Sequence, residues 1–487
     1  MFFLRPAIGL PGVLFIVLAF LVILVVNGFR FYDLDNVPYG AQVDELAGAV
    51  TVQCLATEGI DAYARPWPLF SDLNFGTPKP PTFLYSAVAW TRIFGFSVGS
   101  LRALVAFMFV AGIVGLFFLA RVLLGLEFAV LAALAATVSP WTWNFSRVAF
   151  ESLAAVSFLV WGLFFLFRSA RWKDLVPGAF FLACSMYAYP PLRLQLLLAF
   201  VPLLLYRAGS RVFSWKAFSV FSFFFILFSV PLILKIVNGE LMGRFNELSI
   251  FSGDYLRSIG RTASFGDLFK LFIWNYKVHF SPDFLFLTGD QNIIHSTRRF
   301  GLLSWLDMMA LLAGVGIGLR WLVKGVRSSF KMSRSLWLVI FLLGNIFLAV
   351  IPAALTNEGL PHSLRTIGAW PFMMLLSAFF LGRVCRSFGA WGMVAPVLVS
   401  AIFAFFLLKV YFGEYVHESK GYFSFWTREE ARSARTDEDW LKFLYHYRHD
   451  DYHFRYYTMS MRGLSCSDSR RVWTGLRDYL IEQKSYW

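Results

Sequence analysis

Long apolar runs recur from one end of this chain to the other, and they constrain its fold more than any motif does. They lie near residues 8–27, 102–120, 127–144, 151–167, 175–189, 192–206, 217–236, 301–319, 336–355, 366–382 and 389–410. Several approach the ~20 residues that a membrane-spanning helix needs, and the shorter ones adjoin Pro or Gly breaks. A soluble core has no use for so much apolar surface: of 487 residues, 58% are hydrophobic and 15% charged. The chain therefore reads as an all-α polytopic membrane protein with about eleven transmembrane helices. A net charge of +14 would suit a nucleic-acid partner. Cytoplasmic loops collect Lys and Arg for topological reasons alone, however, so no nucleic acid is expected.

The loops alternate in charge. One set is basic: Arg168, Arg171 and Lys173; Arg207, Arg211 and Lys216; Arg320, Lys324, Arg327, Lys331 and Arg334; Arg383 and Arg386. The other holds isolated arginines, Arg147, Arg193 and Arg365. By the positive-inside rule the first set is cytoplasmic, the N-terminus lies inside and the C-terminus outside. The first run exceeds a signal-peptide core and reads as a retained helix. KPPTFLYSAVAWTRIFGF (79–96) is apolar, but if it crossed, every later loop would invert. It is therefore expected to lie along the outer surface as an interfacial helix. The predicted organisation is a transmembrane domain over 1–413, with a first extracytoplasmic loop at 28–101 carrying interfacial helices and a second large one at 237–300. A small extracytoplasmic C-terminal domain, α/β or irregular, follows over 414–487. Of four cysteines only Cys54 and Cys466 fall outside, which allows at most one disulfide.

This topology gathers the polar residues on one side. Asp44 and Glu45, in YGAQVDELAGAV, stand at the start of a predicted interfacial helix. Adjacent helix positions do not face each other, so the two carboxylates cannot share one task. Either one is a general base, or the pair caps a helix whose positive N-terminus favours acids. Arg147 and Glu151 are four apart, which would put them on one helical face, self-paired or with Arg147 on a phosphate. YAYPPLRL sets Tyr187 and Arg193 around a Pro-Pro break at the tip of a helical hairpin. The polar stretch 276–303 holds His279, Asp283, Asp290 and His295; its spacing matches no standard metal-ligand set, so a divalent metal is possible but not indicated and no cofactor is expected. His362 and Arg365 open a membrane helix, against the dipole preference, and call for an anionic partner. With Lys79 these residues form one acid pair among phosphate-suited cations. That chemistry suits transfer from an anionic lipid-linked donor to an acceptor hydroxyl.

The series QVDELAGA, DAYARPWPLF…TPKPPTFLY, LLGLEFAVLAALAATVSP, SRVAFES, FSPDFLFLTGD…H and PHSLRTIGA resembles the GT-C glycosyltransferases. Within them it is most similar to the protein O-mannosyltransferase-like branch that includes lipid A aminoarabinose transferases, over roughly residues 1–410. The resemblance implies an outer-leaflet cavity, a polyprenyl-phosphate-linked sugar donor, a lipid, glycan or protein acceptor, and inverting transfer at the plasma (inner) membrane. Carried over by position, Asp44 would be the base with Glu45 beside it. Lys79, Arg147 and His295 would meet the donor phosphate or sugar, and Glu151, Tyr187, Arg193, Asp290, His362 and Arg365 are further candidates. The alternative is a lipid or sugar transporter, but transporters place polar residues midway along their helices, and these spans are nearly free of charge.

Overall fold

The computed structural model describes residues 9–71, 79–210, 214–261, 264–327, 333–446 and 451–482. Arg211 and Lys331, two of the expected topological charges, lie outside the described residues. Every apolar run forms helix, and among the described residues there is no β-strand, only isolated bridges. Among the described residues seven helical segments are long and apolar enough to cross a membrane: Leu10–Phe29, Val98–Leu123, Pro190–Gly209, Trp215–Val237, Arg334–Ala354, Ile367–Ser387 and Ala395–Glu418. The protein is an all-α, multi-pass membrane protein with seven such spans, or eight if a bent pair counts as one. That is fewer than the eleven apolar runs suggest. Ser152–Arg168 and Trp172–Ala188, 17 residues each, reach only about 25 Å against a hydrocarbon core of about 30 Å.

The bent pair corrects one expected span. The run 127–144 is not a single helix but Leu126–Thr137 followed by a short segment from Pro140, turned by 60°. Pro140 supplies no N–H to the preceding turn and biases Ser139 to extended backbone, which breaks the helix there. By contrast, the Pro-Pro break behaves as its sequence suggests. Tyr189 is extended between helices Trp172–Ala188 and Pro190–Gly209, with Pro at the first helical position.

The chain divides into two compact units. The first comprises residues 1–30, 108–145 and 152–410. Its innermost element is Trp370–Ser387, buried along almost its whole length and packed against Leu126–Thr137, Trp305–Arg327 and Arg334–Ala354. Gly382 permits a close approach to Leu126–Thr137, because a Cβ there would fall 2.6 Å from the Phe128 ring.

The second unit comprises residues 31–107, 146–151 and 411–487. Helix Val43–Thr57 is its centre, packed by Pro81–Phe94, Asp451–Arg462 and Cys466–Glu482. Pro81–Phe94 spans about 21 Å at 14 residues, too short to cross. Its Arg92 donates to the Ala56 and Leu55 carbonyls at the end of Val43–Thr57. The C-terminal region is helical where α/β or irregular structure was expected, with helices Phe425–Ser433, Asp437–His446, Asp451–Arg462 and Cys466–Glu482. The helical period there is carried by tyrosines among charges: Tyr452, Tyr456 and Met459 are buried at i, i+4 and i+7. A disulfide joins Cys54 to Cys466.

Candidate functional site

In the second unit the adjacent acids divide their tasks. Gln42 is the N-cap of helix Val43–Thr57 and closes a capping box with Glu45, whose Oε2 accepts the Gln42 N–H at 3.0 Å. The same carboxylate, 1% exposed, takes a two-pronged salt bridge from Arg102, Nε to Oε1 and Nη2 to Oε2, both at 2.9 Å. Glu45 Oε1 also accepts the Ala149 N–H at 2.8 Å. Its lone pairs are thereby committed, so Glu45 is a brace and has no capacity to act as a base. Asp44, one residue earlier, points the other way and is exposed. Among the described residues its carboxylate has no hydrogen-bond or ion-pair partner. Lys79 lies beside it: its Nζ, on a side chain only 8% exposed, donates to the Asp44 carbonyl oxygen at 3.2 Å.

Arg102 has no place among the sequence candidates. It spends its remaining donors on the carbonyls of Leu34, Pro38 and Gly40 at 2.9–3.1 Å and fixes the segment leading to the acids. The signal was a lone arginine at the edge of an apolar run, which needs a buried partner. Arg147 is likewise braced. It is fully buried, donates to the Tyr32 and Val37 carbonyls at 2.7 and 3.0 Å, and stacks its guanidinium on Tyr411 and Phe412. With these contacts it holds the segment 32–37 in place. Glu151 does not share a helix face with it, because the chain runs from a 3-10 turn at Phe145–Arg147 through bends to a helix that begins only at Ser152.

In the first unit a polar cluster joins the 279–303 stretch to PHSLR. The Asp290 Oδ2 accepts from the Ser363 N–H at 2.8 Å, the Ser363 hydroxyl at 2.7 Å and His295 Nδ1 at 3.1 Å. Its Oδ1 accepts the Asn292 N–H at 2.8 Å. Burial pushes this carboxyl up, but the His295 hydrogen bond and neighbouring charge outweigh it and hold Asp290 below the ordinary carboxylate range. Asp290, 2% exposed, therefore orients His295 and Ser363. The bond from His295 Nδ1–H leaves Nε2 as that ring's free lone pair. His362 stacks near it, with ring centroids 4.8 Å apart, and burial together with the Arg365 charge holds it well below the usual histidine pKa. Ser363, which the sequence did not single out, is pinned in turn by Trp141, whose Nε1 donates to the Ser363 carbonyl at 2.9 Å. The break at Pro140 is what turns Trp141 toward it.

His279 completes the cluster. Its Nε2 accepts the His362 N–H at 3.0 Å, so Nδ1 carries the proton toward the Asn275 carbonyl. Burial lowers its pKa to about 4. Arg365 finds the anion that its position called for within the chain: it pairs with Glu358 at 3.2 Å and donates to Thr356 Oγ1 at 2.7 Å. Tyr187 and Arg193 each make a contact within the chain. The Tyr187 hydroxyl accepts the Leu232 N–H at 2.9 Å, next to the helical Pro231, and Arg193 Nε donates to the Met186 carbonyl at 3.2 Å.

Asp290, His295 and His362 bring one carboxylate oxygen and two imidazole nitrogens within 4.8 Å of one another, a set chemically able to hold a divalent cation. Asp290 Oδ2 would have to exchange one of its three donors to join it.

No family model matches the chain, and no curated protein matches it by sequence. The fold is nevertheless similar to solved ones. The crystal structure of ArnT from Cupriavidus metallidurans bound to undecaprenyl phosphate aligns with 88% of this chain and 82% of that one, at a TM-score of 0.53 and 14% identity. The apo form of the same protein aligns with 87% and 80%, at a TM-score of 0.51 and 15% identity. The Archaeoglobus fulgidus oligosaccharyltransferase, tethered to an acceptor peptide, aligns with 87% of this chain and 58% of that one, at a TM-score of 0.48 and 12% identity. The resemblance read from the motif series thus extends to three dimensions: the chain has a GT-C-like fold similar to that of ArnT.

Proposed function

We propose that the protein is a membrane glycosyltransferase that moves a sugar from a polyprenyl-phosphate donor to an acceptor hydroxyl, with inversion. The observation that carries this reading is the pairing of an exposed, unengaged Asp44 with a Lys79 amine at its own carbonyl, while Glu45 is locked into the scaffold. Its setting is a fold similar to that of a protein crystallised with undecaprenyl phosphate. Asp44 accepts the proton of the acceptor hydroxyl as its oxygen attacks the anomeric carbon. The bond from that carbon to the phosphate oxygen breaks, and its electron pair stays on the phosphate, whose negative charge Lys79 balances.

The reaction belongs on the extracytoplasmic face of the plasma membrane. The alternation of basic loops supports this placement, and so does the Cys54–Cys466 bond, which needs an oxidising compartment. Eleven crossings with the N-terminus inside would require the bent pair and the helices Ser152–Arg168, Trp172–Ala188 and Trp305–Arg327 to cross in addition to the seven long spans. The test is mass spectrometry of lipid co-purified with the protein, followed by turnover with that lipid. A polyprenyl-phosphate sugar that is bound and consumed supports the proposal. A protein that carries such a lipid across a bilayer without cleaving it would be a transporter.

A further inference from the structure

A second polar site lies in the first unit, at the far end of the helix that follows Arg365. Trp370–Ser387 rises about 27 Å over its 18 residues. At its C-terminal end a cavity of about 480 Å³ opens between this helix and the ends of Val98–Leu123, Pro190–Gly209 and Arg334–Ala354. Three arginines line it: Arg334, Arg383 and Arg386. Arg386 is paired with Glu127 at 2.7 Å and lies on the Phe128 ring. Arg383 lies on the Phe379 ring and gives one hydrogen bond, from Nη2 to Ser335 Oγ at 3.0 Å, which leaves most of its five N–H donors unused. Among the described residues Arg334 has no side-chain partner at all. One carboxylate thus faces three guanidinium groups, over a floor that includes Leu338 and Phe379.

We propose that this cavity is a phosphoryl-binding site, built for the headgroup of an anionic phospholipid or for a free phosphate group of the same chemistry. Planar guanidinium groups, two of them already oriented by aromatic stacking, match the geometry of phosphate oxygens. The apolar floor suits the glycerol and first methylenes of a lipid. If these arginines served only to orient the chain in the membrane, the positive-inside rule would be satisfied without a cavity shared among them.

The experiment uses the full-length protein and native mass spectrometry in an equimolar mixture of phosphatidylglycerol and phosphatidylethanolamine. A retained phosphatidylglycerol is expected, with a preference of about thirtyfold for two phosphate-facing arginines. Arg334→Gln with Arg383→Gln should abolish it. A second arm adds inorganic phosphate to delipidated protein and follows the melting temperature. A rise that the double variant lacks assigns the site to free phosphate, whereas retention of lipid without that rise assigns it to the headgroup. Should the double variant fail to fold, Arg334→Gln alone carries the test, since that side chain is exposed and unpaired. Equal retention of both lipids together with no response to phosphate overturns the proposal, as does an unchanged preference in a folded variant.

Discussion

The backbone N–H of His362 donates to Nε2 of His279 at 3.0 Å, and this one bond fixes the protonation of an imidazole 83 residues away in sequence. An Nε2 that accepts cannot also carry a proton, so His279 is neutral in the folded protein. Its pKa of about 4, against an ordinary 6.5, means that the unfolded chain binds the extra proton first as pH falls. The stabilisation is full above pH 6.5 and is lost as pH drops to about 4, up to about 3 kcal/mol. Melting temperatures across this window should show the decline. His279→Gln, whose amide oxygen can still accept the His362 N–H, should make it shallower, leaving the part due to His362, which is also held below the usual histidine pKa.

Asp44→Asn should fold as wild type, because the carboxylate is exposed and unengaged. It should bind a polyprenyl-phosphate sugar while losing about 10²- to 10⁴-fold in turnover, the range for removal of a general base. Unchanged single-turnover rates would remove Asp44 from the chemistry.

Glu45→Ala should act oppositely, on stability. It strands Arg102 in a fully buried position, a loss of about 3–5 kcal/mol. Glu45→Ala combined with Arg102→Met should recover part of that loss, and a double-mutant cycle on thermal unfolding measures how much.

Thiol labelling of the denatured, unreduced protein should find two free cysteines, Cys184 and Cys385, and two more after reduction. Replacing Cys54 and Cys466 together by Ser should lower stability by about 2–5 kcal/mol.

Much of this was legible before the structure. Apolar run length found every long helix, and the Pro-Pro pair located the hairpin break within a residue. The acids at the start of Val43–Thr57 were marked as competing for capping and catalysis. Only the fold shows that Glu45 caps, because its buried partner Arg102 lies 57 residues away in another element. A linear sequence displays the charge of Arg147 and Arg365 but not the carbonyls or the Glu358 carboxylate that they meet in the fold. The bend at Pro140 was hidden for a different reason. Apolar residues continue through it, so composition gives no warning, and only the missing N–H of one proline does.

The disulfide closes a loop of 412 residues, joining the helix that bears Asp44 to the final helix described. Cys54 is made 412 residues before its partner and stays a thiol until Cys466 has been made and has reached the same compartment. The bond therefore forms only in a chain whose synthesis has passed Cys466. A chain that stops before Cys466, or delivers it to the other side of the membrane, keeps an open Cys54 thiol in the unit that carries the proposed base.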